Sequence, residues 1–320
     1  MNIVCATDDN FVQHCSIMLV SLLCNNKDVR IFILTEGLRT ENEKIIQDEV
    51  RAYGGSVEFC IVDPAIVEKF PMPSARGLSH ISRATYYRLL ISDLLPVAVE
   101  KALYLDCDII VNSSLDELWA TDLEGYALAA VPQIGYGFEA ERMGYPIEYG
   151  YFNAGVTLMN LRYFRENDVC RQLIEYIRDH YDKIKFHDQD TLNAVLYDKT
   201  LHLMPQWNMT ALVYTAGLNQ RGDKSGGKVI NAYEREKKNA AEYKWKPCVL
   251  HYVSKPKPWS RNCVHPLYHL YYDYAARTIH YNHLKPQSDW SRGLAILKNN
   301  LRGWGSVLKQ ALHKTDPSRL

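Results

Sequence analysis

Over the first hundred residues, short apolar runs alternate with amphipathic ones. "NIVCA" (2–6), "VRIFILT" (29–35) and "SVEFCIV" (56–62) read as buried strands, rich in β-branched and apolar residues. Between them "VQHCSIMLVSLLCN" (12–25) and "TENEKIIQDEVRAYG" (40–54) carry helical spacing, the second opening on acids and closing near Gly54. Strand, helix, strand, helix, strand predicts an α/β chain whose parallel sheet is covered by helices on both faces. After a looped stretch with Pro71 and Pro73, "SRATYYRLLISDLL" (82–95) reads as a helix and "KALYLDCDIIV" (101–111) as the next strand. Further on, "YALAAV", "YFNAGVTLMNL" and "CVLHYV" read as strands, and "DVCRQLIEYIRDHYDKI" and "DQDTLNAVLYD" as helices. The glycine and charge content of "NQRGDKSGGK" (219–228) marks a loop and a weak boundary.

The strand ending in Asp106 and Asp108 breaks its own pattern. A buried strand has no use for two carboxylates unless something positive meets them. Residues two apart on an extended chain share a face, so both can converge on one cation while Cys107 faces the other way. Paired carboxylates bind Mg²⁺ or Mn²⁺, and also occur merely solvated. The pair falls at the carboxyl edge of the sheet, where ligands of such folds bind, as do residues 6–10.

Three other places combine polar residues with apolar context. Asn153, Ala154 and Gly155 interrupt a strand, as a bulge does or as a close ligand approach requires. Asp188, Gln189 and Asp190 open a helix, where acids meet the macrodipole; that explains Asp188 as a cap but not Gln189. His251 closes a strand ahead of Lys255 and Lys257, a set suited to an anionic, metal-bound group such as a diphosphate, although a single histidine is more often structural.

Composition narrows the setting. The chain has 320 residues, is 47% hydrophobic and has a formal net charge of +0, which gives no push toward nucleic acid. Its eight cysteines show no C-x-x-C pairing, which predicts reduced thiols acting as small core hydrophobes in the cytoplasm. "MNIVCATDDNF" has no basic region followed by a long apolar run, so no secretory leader is expected, and nothing is long and apolar enough to span a bilayer.

Taken in order, "NIVCATDDNF", "HISRATYYRL", "LYLDCDIIV", "YFNAGVTLMNL", "HDQDTLN" and "HYVSKPKPW" resemble the motifs of the retaining glycosyltransferases of family eight, the group that includes bacterial lipooligosaccharide α-1,4-galactosyltransferases. The resemblance covers about residues 1–265 and implies a single Rossmann-like nucleotide-sugar-binding domain of GT-A type. It implies that Asp106, Asp108 and His251 hold Mn²⁺, with Mg²⁺ as an alternative, and that a UDP-hexose, galactose or glucose, is the donor. Ala6, Thr7, Asp8 and Asn10 would contact uracil and ribose, and Lys257 the phosphates. Arg88, Asn153, Ala154, Asp188 and Gln189 would line the sugar; Cys107 and Ser254 fall in the same donor-binding stretches. Asp188, Gln189 and Asp190 are the catalytic candidates. Two positions depart from the family: Ser254 stands where glycine is common, and Gln133 lies near a position that is often acidic.

Residues 291–320 carry six basic residues against the single acid Asp316, with Leu294, Leu297, Leu301, Trp304, Leu308 and Leu312 three or four apart. A basic flank to an apolar face predicts a C-terminal helical tail (266–320) on an anionic membrane surface, or a helix packed on its own domain. The expected acceptor is then a membrane-associated glycan or glycolipid, and the location peripheral on the inner face of the cytoplasmic membrane. Two other classes share features with the chain: a haloacid-dehalogenase-type phosphatase, which also carries D-x-D at a strand end, and a non-catalytic nucleotide-sugar or glycan-binding module.

Overall fold

The structure, a computed structural model, describes residues 1–68, 70, 83–133, 136–210, 213–214, 240–253, 255–260, 263 and 265–284. Ser254, the loops at 71–82 and 219–228, and the tail at 291–320 lie outside the described residues.

Seven strands form the central sheet in the order β3-β2-β1-β4-β7-β6-β8. They are β1 (Asn2–Ala6), β2 (Arg30–Thr35), β3 (Ser56–Ile61), β4 (Lys101–Leu105), β6 (Leu128–Pro132), β7 (Phe152–Asn160) and β8 (Thr200–His202). β1 to β4 pair in parallel, as the early strand–helix alternation predicts. β7 runs antiparallel between β4 and β6, and β8 lies parallel to β6, so the whole sheet is mixed. The period-2 alternation of strands sorts the core onto two faces. Ile3, Cys5, Ile31, Ile33, Leu103 and Leu105 meet the helices Val12–Asn25 and Thr40–Ala52. Val4, Phe32, Leu34 and Tyr104 meet the layer formed by residues 83–94, 161–180 and 187–196. In that layer the helix Val169–His180 buries Val169, Cys170, Leu173 and Ile177 as one stripe, about 1.5–3 kcal/mol for each large apolar side chain.

Two expectations need correction. "KALYLDCDIIV" is two strands rather than one: β4 stays in the large sheet, and β5 (Ile109–Val111) joins a small sheet of order β5-β10-β9 with β10 (Val249–His251) and β9 (Met209–Thr210). Asp106 to Asp108 are the turn between them, so the two carboxylates converge through a turn and not through strand pleat. "SRATYYRLLISDLL" is a 3₁₀-helix over Arg83–Leu90 followed by one α-turn, Ile91–Leu94. At three residues per turn Thr85 and Arg88 share one face, and both reach Asp188.

The short strands β8 and β9 were not legible in the apolar pattern. The helix Val12–Asn25 lies between the two sheets. Its Ile17 joins Ile110, Leu250 and Tyr252 with Tyr271, Tyr274 and Ala275 of the helix His269–Ala275, so the described residues between Leu267 and Leu284 pack onto the same body.

Candidate active site

Pairing within the small sheet builds the first part of the site. β10 runs antiparallel to β5 with His251 opposite Ile109, which sets the imidazole beside the Asp106–Asp108 turn. His251 Nε2 lies 3.0 Å from Asp108 Oδ1 and 3.6 Å from Asp106 Oδ2. Donor atoms of all three residues fall within 4.8 Å of one another. Two hard carboxylate oxygens and one imidazole nitrogen suit a divalent cation such as Mn²⁺. Packing leaves no alternative at the neighbouring glycine: a Cβ on Gly155 would stand 2.2 Å from His251 Cε1 and 2.5 Å from Asp106 Oδ2. The glycine in "YFNAGV" is therefore required by the ligands themselves. The expected irregularity is present too, because Ala130 to Pro132 on β6 spans two steps while the paired stretch from Thr157 to Phe152 on β7 spans five.

Charge in the site is tightly paired. Lys257 Nζ lies 2.5 Å from Asp108 Oδ2 and donates to the Tyr252 carbonyl. Burial alone would raise the Asp108 carboxyl, but Lys257 and His251 outweigh it and hold it well below the usual carboxylate range. Arg88, nearly buried, donates from Nη2 to Asp106 Oδ1 at 2.7 Å and from Nη1 to the Ala154 carbonyl at 2.9 Å. Its Nε lies 2.8 Å from Asp188 Oδ2 without the alignment of a hydrogen bond, and its guanidinium sits 4.3 Å over the Tyr104 ring. One arginine thus ties Asp106 to Asp188. Asp188 also accepts from the Thr85 hydroxyl, which exceeds a simple capping role. Burial raises its carboxyl to about 6, against the opposing pull of Arg88 and Thr85.

A chain of amides runs behind these charges. Gln189 Oε1 accepts from Asn153 Nδ2 at 2.9 Å and from the Ala154 N–H at 3.2 Å, while Nε2 donates to the Tyr151 hydroxyl at 3.0 Å and faces Gln133 Oε1 at 3.4 Å. Gln133, the departure from the acidic pattern, therefore stands within reach of Gln189. His187 opens this helix at φ 50°, a left-handed conformation that few non-glycine residues adopt and that clusters at functional sites. Arg88, Asp106, Asp108, Asn153, Ala154, Asp188, Gln189 and His251 all line one cavity of about 320 Å³, with Tyr136 and Phe186 on its wall.

Other candidates fall elsewhere. Asp190 is a correction: its side chain is fully buried and does not line the cavity. It accepts from Tyr151 at 2.7 Å, Arg142 at 2.7 Å, and the Lys185 and Phe186 N–H groups at 2.6 and 2.8 Å, which is a scaffolding role at the start of the helix His187–Leu196. Cys107 points away from the carboxylates, as expected; its Sγ donates to the Ala6 carbonyl at 3.2 Å, beside Cys5 and Cys15. That contact ties the end of β1 to the carboxylate-bearing turn. Thr7 is buried beyond β1, its N–H bonded to the Leu34 carbonyl. Asp8 Oδ1 accepts from the Asn10 and Phe11 N–H groups, and Asn10 is exposed. Ala6, Thr7, Asp8 and Asn10 lie outside the cavity lining, at the adjacent strand end.

Residues missed in the sequence include Thr85, Tyr151 and Asn208. The signal for Asn208 is an amide wedged between the buried Trp207 and Met209 in "MPQWNMT".

A family model for "Glycosyl transferase family 8" matches residues 2–263. General stress protein A of Bacillus subtilis is 31% identical over 284 residues, covering 87% of this chain and 94% of that protein. Glycosyltransferase GlyB of Streptococcus pneumoniae is 30% identical over 265 residues, covering 81% of this chain and 57% of its own length. Among solved structures, the galactosyltransferase LgtC bound to donor and acceptor sugar analogues superposes with a TM-score of 0.75 at 27% identity, covering 87% of this chain and 96% of that one. The mixed seven-stranded sheet matches the GT-A fold of LgtC. With the family model spanning the described body and the same architecture beneath it, the chain belongs to glycosyl transferase family 8.

Proposed function

We propose that the protein is a retaining hexosyltransferase that moves galactose or glucose from a UDP-sugar to a membrane-associated glycan or glycolipid, with Mn²⁺ or Mg²⁺ held by Asp106, Asp108 and His251. The observation that carries this reading is that the carboxylate–carboxylate–imidazole cluster and the Asp188–Gln189 pair open onto one cavity at the carboxyl edge of the sheet. The bound cation supplies Lewis acidity toward the departing diphosphate. Lys257, on Asp108 in this structure, is placed to turn its ammonium toward a phosphate oxygen. Asp188 accepts from sugar hydroxyls when ionised, with Arg88 keeping its charge paired. The Gln189 carbonyl oxygen, held by two N–H donors, faces the sugar side as a partial negative charge for a ring that becomes positive.

Double displacement requires a free carboxylate nucleophile. Gln189 is an amide, Asp188 is held by Arg88 and the Thr85 hydroxyl, and Asp190 has four donors on it and no exposure. The acceptor hydroxyl accordingly attacks on the face that UDP leaves, and the leaving phosphate oxygen takes its proton. Among the described residues no helix is long and apolar enough to cross a membrane. Contact with an anionic bilayer is proposed for the sequence at 291–320 on its six basic residues and leucine spacing. The test is hydrolysis and transfer with a panel of UDP-sugars and Mn²⁺. Cleavage of UDP-galactose or UDP-glucose with retained anomeric configuration supports the reading, and full turnover in EDTA overturns its metal dependence.

A further inference from the structure

Asn208 does not line the cavity, yet among the described residues its amide is the hydrogen-bond partner of the inner nitrogen of His251, with Oδ1 2.9 Å from Nδ1. We propose that Asn208 is a positioning residue that locks His251 in the tautomer whose outer nitrogen, Nε2, is free to bind a cation; this rests on the metal-dependent reading above. The argument needs no assumption about how each amide is turned. The Gly155 N–H can only donate, so the Asn153 atom 3.1 Å away is its oxygen. That same oxygen meets Asn208 at 2.8 Å, so the Asn208 atom facing it is the NH₂ nitrogen. The remaining Asn208 atom is then a carbonyl oxygen, an acceptor only, and the His251 nitrogen beside it carries the proton.

A second backbone donor sets the other end of the chain. The Ala154 N–H fixes Gln189 Oε1, and the Asn153 NH₂ that remains after the first step points at that same oxygen. Two consecutive peptide N–H groups of β7 therefore orient Gln189, Asn153, Asn208 and His251 without conflict. Burial makes the pattern costly to break: Asn208 is 3% exposed, Asn153 8% and His251 2%. Histidines that bind metals ordinarily donate their second nitrogen to a carboxylate, carbonyl or water, and an amide oxygen fills that place here.

Mn²⁺ uptake by the full chain in the presence of UDP, read from the EPR signal of free Mn²⁺, tests the inference apart from turnover. Asn208→Leu, similar in volume but without an acceptor, should weaken Mn²⁺ binding roughly 10- to 100-fold. Asn208→Asp keeps an oxygen for Nδ1 but loses the donation to Asn153, so it should melt at lower temperature while holding Mn²⁺ affinity within a few-fold of the unmodified protein. Unchanged Mn²⁺ affinity in Asn208→Leu overturns the inference, as does equal loss in both variants.

A second measurement needs neither a variant nor a metal. In the imidazole ¹⁵N–¹H spectrum of the metal-free protein, His251 Nδ1 should carry a proton, whether or not Nε2 also holds one toward Asp108; a bare Nδ1 overturns the inference. Absence of Mn²⁺ uptake by the unmodified protein would instead remove the metal reading, leaving this spectrum to decide the tautomer alone.

Discussion

Lys257 Nζ and His251 Nε2 approach the same carboxylate from two sides, at 2.5 Å from Asp108 Oδ2 and 3.0 Å from Asp108 Oδ1. One carboxylate therefore meets the Lys257 ammonium with one oxygen and the imidazole with the other. Asp108→Asn should abolish Mn²⁺ binding and transfer while the secondary structure stays intact, because a neutral amide oxygen is a poorer partner for a divalent ion. Circular dichroism with Mn²⁺ titration checks this; an active Asn variant would remove Asp108 from the ligand set.

Gly155→Ala should be as damaging as the loss of a ligand. The new methyl would overlap His251 and Asp106, and neither can retreat far, since Arg88 and Asn208 hold them from behind. Overpacking of this kind costs about 1–3 kcal/mol, and here the strain falls on the cation site. A lowered melting temperature together with lost Mn²⁺ uptake is the expected result.

Asp188 should give the reaction an acid limb. Its folded carboxyl sits at about 6, raised from 3.8 by burial first of all. Between those two values the native protein holds a proton that the unfolded chain has released. This contribution to stability is fully present below the unfolded value and is lost as pH rises through about 6. Catalysis runs the other way, because the ionised form is the stronger acceptor from a sugar hydroxyl, so kcat/KM should fall as pH drops through the same window. Asp188→Asn should be much less active and should lack both pH slopes; a melting curve series across this range measures the first effect.

Gln189→Ala and Asp190→Asn separate the two routes to retention. The first removes a positioning contact and should leave measurable transfer. The second weakens a buried anchor with four donors, so it should lower stability by about 2–4 kcal/mol and leave turnover per folded molecule largely unchanged. A stable Asp190→Asn protein that binds donor but transfers nothing would point to double displacement.

Truncation after Trp290 should release the protein from anionic vesicles while UDP-sugar hydrolysis persists, because every residue assigned to the donor precedes that point. Co-sedimentation with vesicles of defined anionic lipid content provides the measurement. Unchanged sedimentation would mean that the basic, leucine-bearing segment does something other than hold a membrane.

The parallel half of the fold was legible because β1 and β2 are largely buried and read as continuous apolar runs. β3, read as a buried strand, is instead the sheet edge: only Cys60 is buried, and Ser56, Glu58 and Ile61 are exposed. β8 and β9 were not legible, since three and two residues are too few to carry a period. Asp106, Asp108 and His251 stood out because each interrupts or closes apolar sequence with chemistry that a core does not need, and Gln189 because helix capping explains its acidic neighbour Asp188 but not an amide. Asp190 carried the same signal for a different reason: a buried carboxylate that satisfies Arg142, Tyr151 and two peptide N–H groups looks, in one dimension, like a reactive one. Thr85 was silent and Asn208 showed only as an amide between apolar residues, because their roles exist only through partners far away in sequence, Asp188 for one and Asn153 and His251 for the other.

The turn that carries Asp106 and Asp108 leaves the large sheet before the small one exists in the order of synthesis. All seven strands of the large sheet have been made once residue 202 is reached, but β10, which brings His251, follows some fifty residues later. A nascent chain can therefore complete most of its core while Asp106 and Asp108 still lack the imidazole beside them. The three-residue cluster closes only when β10 slots between β5 and β9, so on the proposed metal reading uptake of a divalent ion would report that this strand has docked.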